Sequence, residues 1–313
     1  MTENPSKPPL AKGGWGDLKI IPLATMKFFR IKDQHMWTLF VLPGTLLLVL
    51  VLGFPAIQSI LYSIYPEGGG SSYTLNNYSV LFRDSVFRQV FGNTVLFVTL
   101  SVASHVLLGL GVALVLNMEI FAKPLFRLIA LLPWVVPDVV VGIIWRWMYD
   151  PIYGAFNDLL LRIGLIPAHV QWLSSPKLAL LSVIFVNLWR GFPFVMLILL
   201  AGLQSIPRVL YEAAAIDGAS RWQLFVRITL PGLKKMLVVA LALDIVWEVR
   251  RFGLIQTMTQ GGPGNITEVL STYIYKQYFQ FFRFEYASAV AVVMTAALLM
   301  VSLPYIWMIS QEE

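Results

Sequence analysis

Four ionisable residues, Asp244, Glu248, Arg250 and Arg251, crowd the end of an otherwise apolar stretch. A charge in a bilayer costs several kcal/mol, so such a residue is either paired or functional. Asp244 and Glu248 are four apart and share a helix face. Trp247 and Arg251 sit beside them at spacings of three and four. A second stripe, Asn187, Arg190, Gly191 and Phe194, repeats this spacing in an earlier apolar run. Carboxylates accept hydrogen bonds from hydroxyl groups, a guanidinium grips an anion through two parallel bonds, and an indole offers a flat face. Two readings stay open at this point. The charges pair with one another and line a polar, water-filled cavity, or they bind a strongly polar or charged ligand.

Other chemistry is poorly represented. The chain has no cysteine, so disulfides and thiolate metal sites are excluded. His35, His105 and His169 show no ligand spacing, and no metal site is expected. Asp138 and Asp158 read as solvated acids near span ends, with no nucleophile–base pair beside them. The phosphate-cradling pattern G-x-x-x-x-G-K-[ST] is missing from the sequence, so ATP chemistry on this chain is not expected. The net charge of +6 is not a nucleic-acid signal, because the basic residues sit mostly between apolar runs.

The elements that must carry these stripes are membrane spans. Of the 313 residues, 58% are hydrophobic and only 13% charged, and mean hydropathy is +0.72. A soluble domain carries about 25% charged residues. Six runs approach the roughly 20 apolar residues that a helical span needs. They extend from about Met36 to Tyr62, Asn93 to Leu116, Leu125 to Met148, Leu178 to Leu203, Lys235 to Met258 and Tyr286 to Ile309. Residues 1–35 are polar and lysine-rich, which suits a cytosolic tail ahead of a membrane-spanning domain over 36–313. Lys and Arg concentrate in that tail, near Lys123 and Arg127, and in 204–235, which predicts both termini inside. The aromatic cluster from Tyr273 to Phe282 fits a helix at the lipid–water interface, or a docking surface for an external partner.

The segment 204–235 is too polar to span. Pro207 offers a helix start, Glu212 lies near it, and Ala213, Ala214 and Ala215 are strong helix formers. Gly218 ends the helix or admits another backbone, and Pro231 closes the segment. Such a short helix either packs locally or plugs into a groove on another protein.

Glu212-Ala213-Ala214, Gly218, Ile228 and Leu230-Pro231 match, at the right spacing, the signature of inner-membrane permease subunits of binding-protein-dependent ABC importers. The chain also resembles the carbohydrate subgroup through Leu132-Pro133-Trp134-Val135-Val136-Pro137, Trp189-Arg190-Gly191-Phe192-Pro193-Phe194 and Gly261-Gly262-Pro263-Gly264. The likeness covers roughly residues 36–310 and is greatest to maltose-type permeases in six-span form. It implies an all-α membrane protein, a type I ABC importer transmembrane domain with six helices and a cytosolic coupling helix. Glu212, Ala213, Ala214, Asp217, Gly218, Leu230 and Pro231 would serve coupling. The implied partners are a second related permease, two ATPase subunits carrying ATP and Mg, and an external solute-binding protein, in a bacterial inner membrane. Carried over, the sugar-contacting positions are Asn187, Arg190, Gly191, Phe194, Asp244, Trp247, Glu248 and Arg251, with Trp134 beside them. Maltose-type permeases are uncharged at 190, 244, 248 and 251, so maltose itself is doubtful here. The rival class is an ion-coupled secondary transporter, in which the buried charges would relay protons or ions.

Overall fold

Bilayer hydrocarbon offers no partner to backbone N–H and C=O groups, so long apolar runs satisfy them internally as helices. The computed structural model describes residues 33–68 and 72–310, and among these every regular element is helical. They fall into two compact units that divide between Pro55 and Ala56. The first holds α1 (Asp33–Leu48) and a π turn over Val49–Gly53. The expected tail, residues 1–35, lies outside the described residues except for its last three, which open α1. Helix α2 (Phe54–Ser63) begins at the division.

The second unit continues with α3 (Asn76–Arg83), α4 (Ser85–Asn117), α5 (Lys123–Val135), α6 (Asp138–Met148), α7 (Ala155–Arg162) and α8 (Ala179–Ser205). There follow α9 (Arg208–Ile216), α10 (Arg221–Leu224), α11 (Leu230–Val249), α12 (Gly253–Met258), α13 (Leu270–Tyr275) and α14 (Phe284–Ser310). Among the described residues, four stretches are long and apolar enough to cross a membrane: Phe40–Ser63, Ser85–Asn117, Ala179–Ser205 and Phe284–Leu303. Helices α5 and α6 make a fifth if they act as one bent span. Helix α11, at 20 residues and about 30 Å, has the length to cross. Its Lys234, Lys235, Asp244 and Glu248 keep it out of the apolar set.

Two expected spans are corrected in detail. The run from Leu125 to Met148 is not one helix, because α5 and α6 meet at 92°. Pro137 has no N–H to donate and forces Val136 out of the helical region, to φ −72° and ψ 130°. The fifth run, expected from Lys235 to Met258, starts earlier and stops sooner. Pro231 lies in the first turn of α11, directly after a π turn over Phe225–Thr229. The helix ends at Val249, so Arg250 and Arg251 leave it and the chain restarts as α12.

Helix α8 is the axis of the second unit. Within its most apolar window 61% is buried, against 28% for α4 and α14. It lies closely along α4, and Gly109 is the reason: a Cβ there would come within 3.0 Å of the Met196 backbone nitrogen. One apolar core, including Phe97, Val141, Val183 and Leu254, sits at one end of the α4–α8 pair. A second, including Ala113, Met196, Leu199 and Leu233, sits at the other. Asn187 and Arg190 of α8 fall between the two. A third core joins Leu81, Phe87 and Val90 to Tyr273, Tyr286 and Val290. Tyr273, expected in an interfacial helix, is therefore buried against α14, while Phe279, Phe281 and Phe282 remain exposed.

Candidate functional site

The break at Pro137 places Asp138 in the first turn of α6, where the helix N-terminus favours a carboxylate. Asp138 faces two guanidinium groups. Arg251 Nη1 donates to its two oxygens at 3.3 and 3.2 Å. Arg190, from α8, forms an ion pair with Asp138 Oδ1, although its Nε is not aligned as a hydrogen-bond donor. Arg251 also turns back onto α11, pairing Nη2 with Glu248 Oε1 and placing Nε 3.4 Å from Oε2. It reaches there because α11 has just ended.

The network continues inward. Asn187 Nδ2 donates to Glu248 Oε2 at 2.6 Å. His105, from α4, has Nε2 3.0 Å from the Asn187 carbonyl oxygen and Nδ1 2.9 Å from Asp244 Oδ2. A carbonyl oxygen only accepts, so Nε2 carries a hydrogen, and a second hydrogen lies between Nδ1 and the Asp244 carboxyl. The His105–Asp244 pair is thus neutral as a unit. His105 Nδ1 or Nε2 and the Asp244 and Glu248 carboxylates lie within 4.8 Å of one another, a separation that suits a metal ion. Each is instead engaged with protein: both imidazole nitrogens are bonded, and Glu248 is held by Arg251 and Asn187. Histidine-to-histidine spacing gave no sign of this trio, because its carboxylates are 139 and more residues away in sequence.

The expected contact residues divide into two groups. Trp134, Arg190, Trp247 and Arg251 line a cavity of about 630 Å³, together with Val135, Asp138, Arg250, Phe252 and Gly253. Phe194 links its aromatic walls, with ring centroids 6.2 Å from Trp134 and 4.3 Å from Trp247. Asn187, Gly191, Asp244 and Glu248 are buried behind this wall. Gly191 is filled by its neighbour: a Cβ there would overlap the His105 ring. A second cavity, of about 580 Å³, lies along α6 and α12 and shares Phe252 and Gly253 with the first.

Asp138, His105 and Arg250 belong to the site but were not among the expected contact residues: Arg250 was noted only as a charge in its run, and Asp138 as a solvated acid. The Pro137-Asp138 pair carried a readable signal, since a proline that breaks a span presents the next residue at a helix start. His105 carried none beyond being ionisable inside an apolar run.

At the other end of the unit, α9 follows Pro207 and ends at Ile216, two residues before Gly218, whose φ of +78° suits glycine. Glu212, Ala213, Asp217, Gly218, Leu230 and Pro231 are exposed, and Ala214 is half-buried. Tyr211 Oη lies 3.0 Å from Thr229 Oγ1, tying α9 to the turn before α11. A capping box between Ser220 and Gln223 opens α10.

Apolar spans joined around buried charges, with an exposed helix between two of them, define a multi-pass membrane protein of the permease class. The chain belongs to the family described as binding-protein-dependent transport system inner membrane component, which residues 105–310 match. It is therefore a transport subunit and not itself an enzyme. It is 34% identical to the sulfoquinovosyl glycerol transport system permease protein SmoG of Agrobacterium fabrum, over 95% of this chain and 97% of that one. It is 43% identical to the trehalose/maltose transport system permease protein MalF of Thermococcus litoralis, over 59% of this chain and 62% of that one. Among solved structures it resembles a bacterial ABC transporter involved in the import of the acidic polysaccharide alginate. There the TM-score is 0.74 and the identity 26%, over 88% of this chain and 96% of that one.

Proposed function

We propose that the chain is the transmembrane subunit of an ATP-driven importer that takes a sugar, oligosaccharide or other polar glycoside from a solute-binding protein. It releases this cargo into the cytosol by alternating access. The observation that carries the reading is the cavity among α5, α6, α8 and α11, walled by Trp134 and Trp247 and rimmed by Asp138, Arg190 and Arg251. Aromatic faces suit the apolar side of a sugar ring and charged groups suit its hydroxyls. The sugar-transport names of the relatives support the same class. In this reading α5 and α6 form one broken span and α11 another, giving six, with both termini cytosolic. Asn187, Gly191, Asp244 and Glu248 act through the positions of Arg251 and His105, or meet the cargo when the helices move.

Helix α9 would be the coupling helix, seated on a cytosolic ATPase that carries ATP and Mg. Glu212 on its surface and Gly218 just past its end are both exposed, within reach of a partner. A second, related permease would close the cavity from the open side, and a second ATPase would face it. ATP binding, by drawing the coupling helices together, shifts the population between inward-open and outward-open states. Family membership argues against an ion-coupled secondary transporter.

The test is reconstitution. The chain alone in liposomes should transport nothing. Assembled with its ATPase, second permease and binding protein, it should import labelled sugar only with ATP. Glu212→Lys and Gly218→Pro should uncouple ATP hydrolysis from uptake or block assembly, while membrane insertion persists. Ion-driven uptake by this single chain, or normal coupled uptake in both variants, would overturn the reading.

A further inference from the structure

The charges of the cavity do not cancel. It is lined by one carboxylate, Asp138, and three guanidinium groups, Arg190, Arg250 and Arg251. Asp138 is shared between Arg190 and Arg251. The next anion, Glu248, is behind the wall and already bound to Arg251 and Asn187. Behind it stands the His105–Asp244 pair, neutral as a unit. Two carboxylates thus balance two of the guanidinium groups, and Arg250 is left over. Among the described residues no acid or hydrogen-bond acceptor engages the Arg250 side chain, which is exposed at the end of α11. The C-terminal carbonyls of α11 favour a cation at that end, but they leave its donors unused.

We infer that Arg250 receives an anionic group of the cargo, and that the cavity therefore selects acidic glycosides, those bearing a carboxylate or sulfonate, over neutral ones. This rests on the importer reading above. The chemistry is direct. Guanidinium presents a planar fork that matches the two oxygens of a carboxylate or sulfonate. Trp134 and Trp247 hold the ring, and Arg250 holds the acid. Arg190 and Arg251, the cations that the residue pattern first suggests for an anion, are engaged within the protein. Their role is to fix Asp138 and the end of α11, and so to aim Arg250. A neutral glycoside leaves the Arg250 donors without a partner, and a site built around a charged hydrogen bond rejects such an analogue strongly.

The experiment uses the assembled complex with its binding protein in proteoliposomes. ATP-driven uptake is measured for matched pairs of methyl glycosides: glucoside and glucuronide, galactoside and galacturonide, mannoside and mannuronide, and quinovoside with its 6-sulfonate. The wild type should take up at least one anionic member about tenfold or more efficiently than its neutral partner. Arg250→Gln should erase about tenfold of that ratio through KM for the anionic member, and Arg250→Lys should fall between. Because the binding protein is the same in each case, the change in ratio reports the permease step. Copurification with the ATPase checks that the variants assemble. Equal or better uptake of the neutral partners, refusal of every acidic member while a neutral sugar is imported, or an equal loss for both members in Arg250→Gln would overturn the inference. Each of these leaves the importer reading standing. Failure of every sugar, acidic and neutral, in a complex that hydrolyses ATP would instead remove the carbohydrate reading on which the inference rests.

Discussion

Removing Arg251 should destabilise the protein far more than removing a guanidinium from the surface. Glu248 is 1% exposed and Arg251 8%. In Arg251→Ala, Glu248 loses both guanidinium contacts and keeps only Asn187 Nδ2 as a donor. Asp138 keeps Arg190 and is less affected. Stripping one partner from a buried pair costs about 3–5 kcal/mol, because the remaining charge has lost its compensation. The internal comparison is Arg162 with Asp158, a pair at 2.9 Å whose side chains are 75% and 60% exposed. Water screens that pair, and Arg162→Ala should cost less than about 1 kcal/mol. The assay is equilibrium unfolding in mixed micelles titrated with SDS and followed by tryptophan fluorescence. With the single variant Glu248→Gln, the double variant Glu248→Gln with Arg251→Ala completes a cycle, and it should be more stable than the sum of its single variants implies, by about 1 kcal/mol or more. If Arg251→Ala costs no more than Arg162→Ala, or if the cycle is additive, the buried network is not what fixes the end of α11.

Gly191→Ala should cost about 1–3 kcal/mol through overlap with the His105 ring, and His105→Ala in the same background should recover part of it. Absence of recovery in the same unfolding assay would show that the two positions are not in contact. Asp84 caps α4 by accepting from the Val86 N–H at 2.8 Å, and Tyr286 Oη and Tyr273 Oη donate to it at 2.8 and 3.1 Å. Burial pushes its carboxyl up, but these hydrogen bonds outweigh burial and hold it below the usual carboxylate range. The stability it contributes is therefore present above about pH 4 and lost as pH falls through its lowered folded value. Asp84→Asn should cost about 1 kcal/mol at neutral pH and should flatten the acid limb of thermal stability in detergent. An unchanged acid limb would refute the role.

Much of the class was legible in sequence, because its cause is local. A run of apolar residues must be helical in lipid wherever it sits, so the spans of α4, α8 and α14 follow from hydropathy alone. Helix α9 was legible for the same reason: Pro207, three alanines and Gly218 set its start, body and end within one short segment. The stripes on α8 and α11 were legible as helical faces. Trp134, Phe194 and Trp247 do meet in space, as their placement near a shared site suggests.

What sequence left open was which charge meets which. Periodicity shows that Asp244 and Glu248 share a face, but not that His105, 139 residues from Asp244, reaches that carboxylate through the gap left by Gly191. It also cannot decide where a helix with charged residues at its end will stop. The break after Val249 turns Arg251 back onto Glu248 and sends Arg250 into the cavity. The bend at Pro137 brings Asp138 to both arginines and makes a central acid of a residue that reads as solvated. Hydrophobic pattern and proline chemistry determined the helices of this protein. The pairing of its buried charges, and therefore the one guanidinium left over, was decided by the packing of α4, α6, α8 and α11, because charge pairing depends on distance in space and not on distance along the chain.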